Sequence, residues 1–342
     1  MAAGASYGKP LPAAVPRSGL HAAVKADRRA EHMLGALAVG VLVLIGLMLV
    51  TVMVNAWPSF SANGLSWFGS GGDIVTQFRA MQTNTALPGH SVEYFRAWPL
   101  IWGLLLTTVL AVAIALAVST LAAIFMTEFA PARVRRVLEP IVRLLAGVPS
   151  VIYGLMGILL IAPWINEHLL SNARKQSVAY VVQLSGANLA TATLILTVMI
   201  LPIMIALSAN ALASVPASWR EGSAALGVNR WRTIWRVSLR GARPAISAAV
   251  VLATARALGE AIMLAMVSGG RPFGANPLDG LTFFFEPVET PATAILKEFG
   301  GETNTPIAHT AYALAAVLLF SAALLSFAGW AVKQPLKRYG IV

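Results

Sequence analysis

The chain has no cysteine and little charge: Asp, Glu, Lys and Arg together make up 11% of its 342 residues. The absence of cysteine excludes a disulfide framework. A soluble domain carries about a quarter charged residues, so this content excludes an ordinary water-soluble fold. Disorder is excluded too, because 57% of the residues are hydrophobic and disordered chains are poor in them. Acidic residues are the scarcer sign, 14 against 25 basic, for a net charge of +11.

Catalytic patterns are also missing. The five histidines are scattered, with no HExxH and no paired metal spacing, which argues against a metalloenzyme. The nearest approach to a phosphate-binding loop is Gly4-Ala-Ser-Tyr-Gly8-Lys9-Pro10. It is one residue short and lacks the hydroxyl residue after lysine. Energy for movement against a gradient must come from another subunit or from an ion.

What the chain has is length of apolar sequence. Six stretches can cross about 30 Å of hydrocarbon as helices of about 20 residues: 34–54, 100–126, 144–164, 189–213, 245–268 and 310–332. Trp57, Trp98, Trp102, Trp164 and Trp330 stand near their ends, where amphipathic rings settle at the headgroups. The expected architecture is all-α, a polytopic membrane protein with six transmembrane helices. Eighteen Lys and Arg fall in segments assigned to the inside, six outside and one within a span. The basic balance therefore reads as the positive-inside rule and not as a nucleic-acid footprint.

By that rule the N-terminal tail, 1–33, with Lys9, Arg17, Lys25, Arg28 and Arg29, is cytoplasmic. So is the C-terminal tail, 333–342, with Lys333, Lys337 and Arg338. The first transmembrane helix, 34–54, is too long for the apolar core of a cleaved leader. The outer loop that follows, 55–98, is rich in Gly, Ser and Asn and is expected to have little structure of its own. The connection 269–309 carries Pro272, Pro277, Pro287 and Pro291, which break any long helix. It is expected to pack as a cap, with Asp279, Glu286, Glu289, Glu298 and Glu302 suited to the outside.

Within the membrane domain, 99–332, the cytoplasmic loop 214–243 has the strongest pattern. Ser218 and Glu221 stand at capping-box spacing. Gly227 is placed to stop one short helix and Asn229 to cap the next. Trp231, Trp235 and Leu239 then recur every four residues, with Arg230, Arg232, Arg236, Arg240 and Arg243 on the remaining faces. Two short amphipathic helices meeting at a glycine fit a knob for a partner's groove. Docking of the same aromatics under the bundle or in the headgroups is the alternative.

Glu221-Gly-Ser, Gly227 and Val237-Ser-Leu239-Arg240 resemble the E-A-A, G, I-x-L-P pattern of the EAA loop in binding-protein-dependent ABC importers. Gly222-Ser223 replaces Ala-Ala, Val237 replaces Ile, and Arg240 stands for Pro. The resemblance implies a type I ABC importer permease fold, with Glu221, Gly227, Trp231 and Trp235 coupling the chain to a cytoplasmic ATPase.

Leu145-Ala-Gly147-Val-Pro149-Ser150-Val-Ile-Tyr153-Gly-Leu resembles the G-I-P-S-V-x-Y-G-L segment of phosphate importer permeases. Read from the residues alone, Gly147 and Pro149 predict a helix kink and close packing. Thr254-Ala-Arg256-Ala-Leu-Gly-Glu260-Ala resembles the R-A-x-G-E-T-M-A segment of the same permeases. Arg256 lies 12 residues from both Pro244 and Ser268, about 18 Å of helix from either end. An ionised side chain near mid-membrane is expensive and marks a candidate site.

Glu260, four residues on, is expected on the same helical face, holding Arg256 and keeping an empty site near neutral. The planar arginine fork suits phosphate oxygens. Arg256, Glu260 and Ser150 are placed in the substrate pathway. Ala248, Ala249, Ala253, Ala257 and Gly259 are expected to let a partner helix approach. Glu128-Phe-Ala-Pro-Ala-Arg-Val-Arg135 and Thr293-Ala-Ile-Leu-Lys-Glu-Phe-Gly300 look more like the C-type than the A-type permease of the Pst system.

These resemblances cover residues 100–332. They imply a transport subunit, not an enzyme, that forms half of the pathway of an ATP-driven phosphate importer in a bacterial cell membrane. They also imply a second, A-type permease, two copies of a cytoplasmic ATPase carrying ATP and Mg, and an external phosphate-binding protein. No cofactor, metal or nucleic acid is expected on this chain. A permease for sulfate or molybdate stays open, as does a channel or scaffold not coupled to ATP.

Overall fold

A computed structural model describes residues 17–177, 183–270, 274–299 and 305–337. The Gly4–Pro10 loop, Pro272, Gly300, Glu302 and Arg338 lie outside them. The chain divides into two units, Met1–Thr51 and Val52–Val342. Among the described residues every regular element is helical, apart from a single bridge between Gly269 and Val288.

Helix α1, Arg17–Asn63, begins in the first unit, where it is apolar on all faces from Met33 onward and exposes Leu34, Leu37, Leu42 and Leu47. A helix hydrophobic all round is suited to lipid. It ends in the second unit. There follow α2 (Ile74–Gln82), α3 (Trp98–Ile124), α4 (Ala132–Ala146), α5 (Ser150–Met156), α6 (Ala162–His168) and α7 (Asn172–Ser177). The second half holds α8 (Leu189–Ala213), α9 (Ala217–Ala225), α10 (Arg230–Thr233), α11 (Leu239–Leu258), α12 (Ile262–Val267), α13 (Pro291–Glu298) and α14 (Pro306–Lys337). π-helical turns extend α3 over Phe125–Phe129, join α5 to α6 at Gly157–Ile161, and join α10 to α11 at Ile234–Ser238.

Five helices among the described residues are long and apolar enough to cross a membrane: Ala30–Phe68, Trp98–Phe129, Ser150–His168, Leu189–Ala213 and Pro306–Ala331. The stretch expected at 144–164 starts instead at Ser150. Gly147 ends α4 and Pro149 caps α5, so this pair separates two helices where a kink in one was expected. The stretch at 245–268 is broken as well. α11 stops at Leu258, Gly259 sits at φ −86°, ψ 0°, and α12 begins at Ile262.

Helix α8 forms the centre. Its Leu196, Met199, Ile200 and Met204 pack with Ala111 and Ala115 of α3, Ala253 and Ala257 of α11, and Met263, Leu264 and Val267 of α12. Lipid is as apolar as leucine, so helices in it associate by close packing, and alanines at the crossings permit that. Ala249, Ala253 and Ala257 are buried against this chain's own helices. They are not left free for a partner helix, contrary to expectation. The Thr197 hydroxyl in α8 donates to the Thr193 carbonyl at 2.7 Å, which satisfies a polar group that hydrocarbon could not.

The segment between α1 and α3 corrects the expectation of an unstructured loop. The Asp73 carboxylate accepts from the Val75 amide at 2.8 Å and caps α2. Trp67, Ile74, Phe78, Met81 and Phe95 form a buried cluster with Ile307, Ala313 and Leu314 of α14. Trp67 donates to Ser59 Oγ at 3.1 Å. His309 Nδ1 and Glu93 Oε1, 2.7 Å apart, tie the segment to the start of α14.

The connection after α12 packs as a cap, with Phe283 and Val288 buried against Leu189, and it also buries two of its acidic residues. Glu286 and Glu289 are each only 8% exposed. Glu286 Oε2 accepts from the Asn276 amide at 3.0 Å, and Glu289 pairs with Lys297 at 3.3 Å. Burial raises both carboxyl pKa values, outweighing the Asn276 amide in one and Lys297 in the other.

Candidate functional site

The loop between α8 and α11 lies at the end of the bundle where α3 terminates. Helix α9 starts behind Pro216, so Ser218 is inside the helix and the capping box with Glu221 does not form. Glu221 is exposed. The expectation at Gly227 is met: it sits at φ +73°. Its N–H donates to the Ala224 carbonyl at 2.9 Å, and the Val228 N–H to the Ser223 carbonyl at 3.2 Å. These two bonds close a helix end through a left-handed residue, the conformation glycine adopts without penalty. Asn229 Oδ1 accepts from the Arg232 amide at 2.8 Å and opens α10.

Ile234 is buried with Ile124, Leu212, Val215 and Ala242, which roots the loop in the bundle. Trp231 and Trp235, each about half exposed, meet edge to face at 6.2 Å. Trp219 and Leu226 of the same loop are exposed as well. Two contacts that the sequence reading did not include bracket the loop against the end of α3. Arg220 pairs with Glu128 at 3.2 Å, and the Arg230 guanidinium lies 4.7 Å over the Phe129 ring. Glu128 and Phe129 stand in the π-helical turn that ends α3. The signal for this was the basic loop facing the lone carboxylate of the E-F-A-P segment.

The second constellation lies where α5 and α12 cross. A Cβ on Gly154 would stand 2.8 Å from Met266 Sδ and 3.1 Å from Met263 Cα, and one on Gly157 would stand 2.5 Å from Val267 Cγ1. A side chain at either position would force α12 or its side chains to shift. Close packing therefore falls on Gly154 and Gly157, while Gly147 has room for a side chain. Tyr153 is buried and donates to the Leu145 carbonyl at 2.9 Å, bridging the break between α4 and α5. Ser150 is half-buried at the first turn of α5.

Arg256 and Glu260 are not an ion pair: neither appears among the four pairs of the described residues. The helix break between them removes the four-residue geometry, and Glu260 Oε1 accepts from the Met263 amide at 3.1 Å, capping α12. Arg256 shares an exposed face of α11 with Leu252, Ala255 and Gly259, opposite the buried alanines. It stands within electrostatic reach of Tyr153. A guanidinium facing hydrocarbon is costly, so this face suits water or protein. Among the described residues no group of three or more His, Asp or Glu could hold a metal ion.

A multi-pass helical membrane protein, with a rooted aromatic loop at one end and an unpaired arginine on an open face, has the parts of a transport subunit. Residues 119–333 match the family of binding-protein-dependent transport system inner membrane components, and the chain belongs to that family. It is 40% identical over 193 residues to a probable ABC transporter permease protein of Bacillus subtilis, covering 56% of this chain and 59% of that one. It is 30% identical over 291 residues to a probable phosphate transport system permease protein of Methanocaldococcus jannaschii, covering 84% of each. A phosphate transport system permease protein of Pasteurella multocida is 29% identical over 271 residues, 77% of this chain and 78% of its own.

Proposed function

We propose that this chain is the C-type permease subunit of an ATP-driven inorganic phosphate importer, with both termini on the cytoplasmic side. The observation that carries the reading is the crossing of α5 on α12. It brings the Gly147–Leu155 and Thr254–Ser268 segments together, the two segments whose residues resemble phosphate permeases. The permease names of relatives similar over most of the chain support it. Arg256 contacts the anion from the open face of α11, Ser150 lies on the same pathway, and a second permease of A-type supplies the other wall. Glu260 orders the helix break beside Arg256.

The loop carrying Glu221, Gly227, Trp231 and Trp235 docks on one of two ATPase subunits, which hold ATP and Mg. An external phosphate-binding protein delivers the anion. Closure of the ATPases would push the loop, and the Arg220–Glu128 and Arg230–Phe129 contacts would pass that movement to α3. The test is ATP-dependent uptake of radiolabelled phosphate by the reconstituted complex, with sulfate and molybdate as competitors. Uptake that phosphate alone blocks, and that Arg256→Gln abolishes in an intact complex, is the expected result. Preferential uptake of sulfate or molybdate would overturn the assignment of cargo, and uptake without ATP the assignment of class.

A further inference from the structure

Helix α4 is unused by this reading and has an unusual surface. Val134, Val137, Ile141 and Leu144 recur at spacings of three, four and three, which places them on one helical face. All four are exposed, Val137 at 60% and Leu144 at 74%. Arg133, Arg136 and Arg143 occupy the flank and the opposite side, are exposed, and enter none of the ion pairs of the described residues. The remaining arginine, Arg135, is paired with Glu139 at 2.6 Å. The inner side of α4 packs on α8, across a cavity of about 160 Å³ lined by Thr127, Arg135, Glu139, Arg143 and Asn210.

Chain connection restricts where this helix can lie. Ala130-Pro131 joins it to the end of span Trp98–Phe129, and Gly147-Val148-Pro149 joins it to the start of span Ser150–His168. A helix of 15 residues is about 22 Å long, and both of its ends are held at membrane-span ends by two- and three-residue links. Such a helix lies along the boundary between headgroups and hydrocarbon. An apolar stripe flanked by unpaired arginines suits that position, because chains take up the stripe and lipid phosphates meet the guanidinium groups. A protein partner would need carboxylates to match these arginines, of which only Arg143 lies within electrostatic reach of one, Glu139, whereas an anionic leaflet offers phosphates everywhere along the helix.

We propose that α4 is an interfacial helix that binds anionic phospholipid. Val134, Val137, Ile141 and Leu144 enter the acyl region, and Arg133, Arg136 and Arg143 hold the headgroup phosphates. Through the short link at Pro131, the lipid surface thereby steadies the end of α3 that carries Glu128 and Phe129.

The chain has no cysteine, so Leu144→Cys gives a unique label site in it, on a side chain that supports no packing. The assembled complex, with partner thiols blocked, is spin-labelled at this position and placed in nanodiscs of phosphatidylcholine with phosphatidylglycerol. The proposal expects collisions with oxygen, which dissolves in the acyl region, and protection from a water-soluble nickel chelate. In parallel, phosphatidylglycerol retained by the complex should exceed its share in the mixture. The triple variant Arg133→Gln, Arg136→Gln, Arg143→Gln should lower that preference by at least about fivefold, the factor that one basic residue near an anionic surface supplies. A label open to the nickel chelate would overturn the proposal. So would an immobilised label shielded from both reagents, which would make the stripe a protein interface, or a lipid preference untouched by the triple variant.

Discussion

Gly227 offers a test in which conformation and steric contact make different predictions. At φ +73° an L-residue with a side chain pays about 1–2 kcal/mol to occupy the left-handed region. A β-branched residue lies at the upper end or beyond, and asparagine pays least of all non-glycine residues. A Cβ at Gly227 would meet nothing within 4 Å, so in this chain the penalty is entirely one of backbone preference. The expected order of damage is therefore Asn, then Ala, then Val. A penalty of about 1–2 kcal/mol lowers the ratio of correctly angled to misangled loops by roughly five- to thirtyfold. Trp231 and Trp235 would then be misaligned for docking.

Co-purification of the ATPase with each variant, normalised to permease abundance in the membrane, reads the effect directly. Gly227→Val should lose most of the ATPase while still inserting, and Gly227→Asn should keep most of it. Full ATPase yield and normal transport by Gly227→Val would refute the docking role. Equal loss with Asn and Val would refute the conformational argument, pointing instead to a partner surface pressed against the glycine.

Arg256→Gln should abolish phosphate uptake at unchanged complex yield, since a charge-assisted contact is worth a few kcal/mol; substantial uptake would remove Arg256 from the pathway. Glu260→Gln keeps an oxygen for the Met263 amide and should assemble normally, whereas Glu260→Ala loses the cap, at about 1 kcal/mol, and should lower membrane abundance; equal abundance would show that the cap contributes nothing. Gly154→Leu should prevent α5 from crossing α12, with loss of folded protein on size exclusion, while Gly147→Ala should be tolerated. Glu286 has a raised pKa, so its stabilising contribution is complete below the ordinary carboxylate value of 4.5 and is lost as pH rises through the folded-state value. Glu286→Gln should thus melt at the same temperature as the parent or higher near pH 7.5, with the difference vanishing below about pH 4.5; a gain that persisted in acid would contradict the burial argument.

Much of the chain is legible from pattern alone. Long apolar runs must be helices in lipid, because no other single segment satisfies its own backbone there, and this identifies the spans near 34–54, 100–126, 189–213 and 310–332. The turn at Gly227 and the cap at Asn229 are also local, set by backbone preference and by one side-chain oxygen over three residues. Hydropathy gives no similar access to position 260. Glu260 could pair with Arg256 or cap a new helix, and the choice depends on whether the helix continues through Gly259. That depends in turn on α12 being held against α5 at Gly154 and Gly157, contacts distant in sequence. The same reason hides the core of Trp67, Phe78 and Phe95 in a segment that reads as loop, and the burial of Glu286 and Glu289. Ala249, Ala253 and Ala257 form a stripe suited to any close helix. Sequence by itself determines that such a stripe exists and what it can tolerate; only the tertiary structure decides that Ala253 and Ala257 pack with α3 and α8, leaving Arg256 on the open side, because a helical period specifies faces and never the neighbour that covers them.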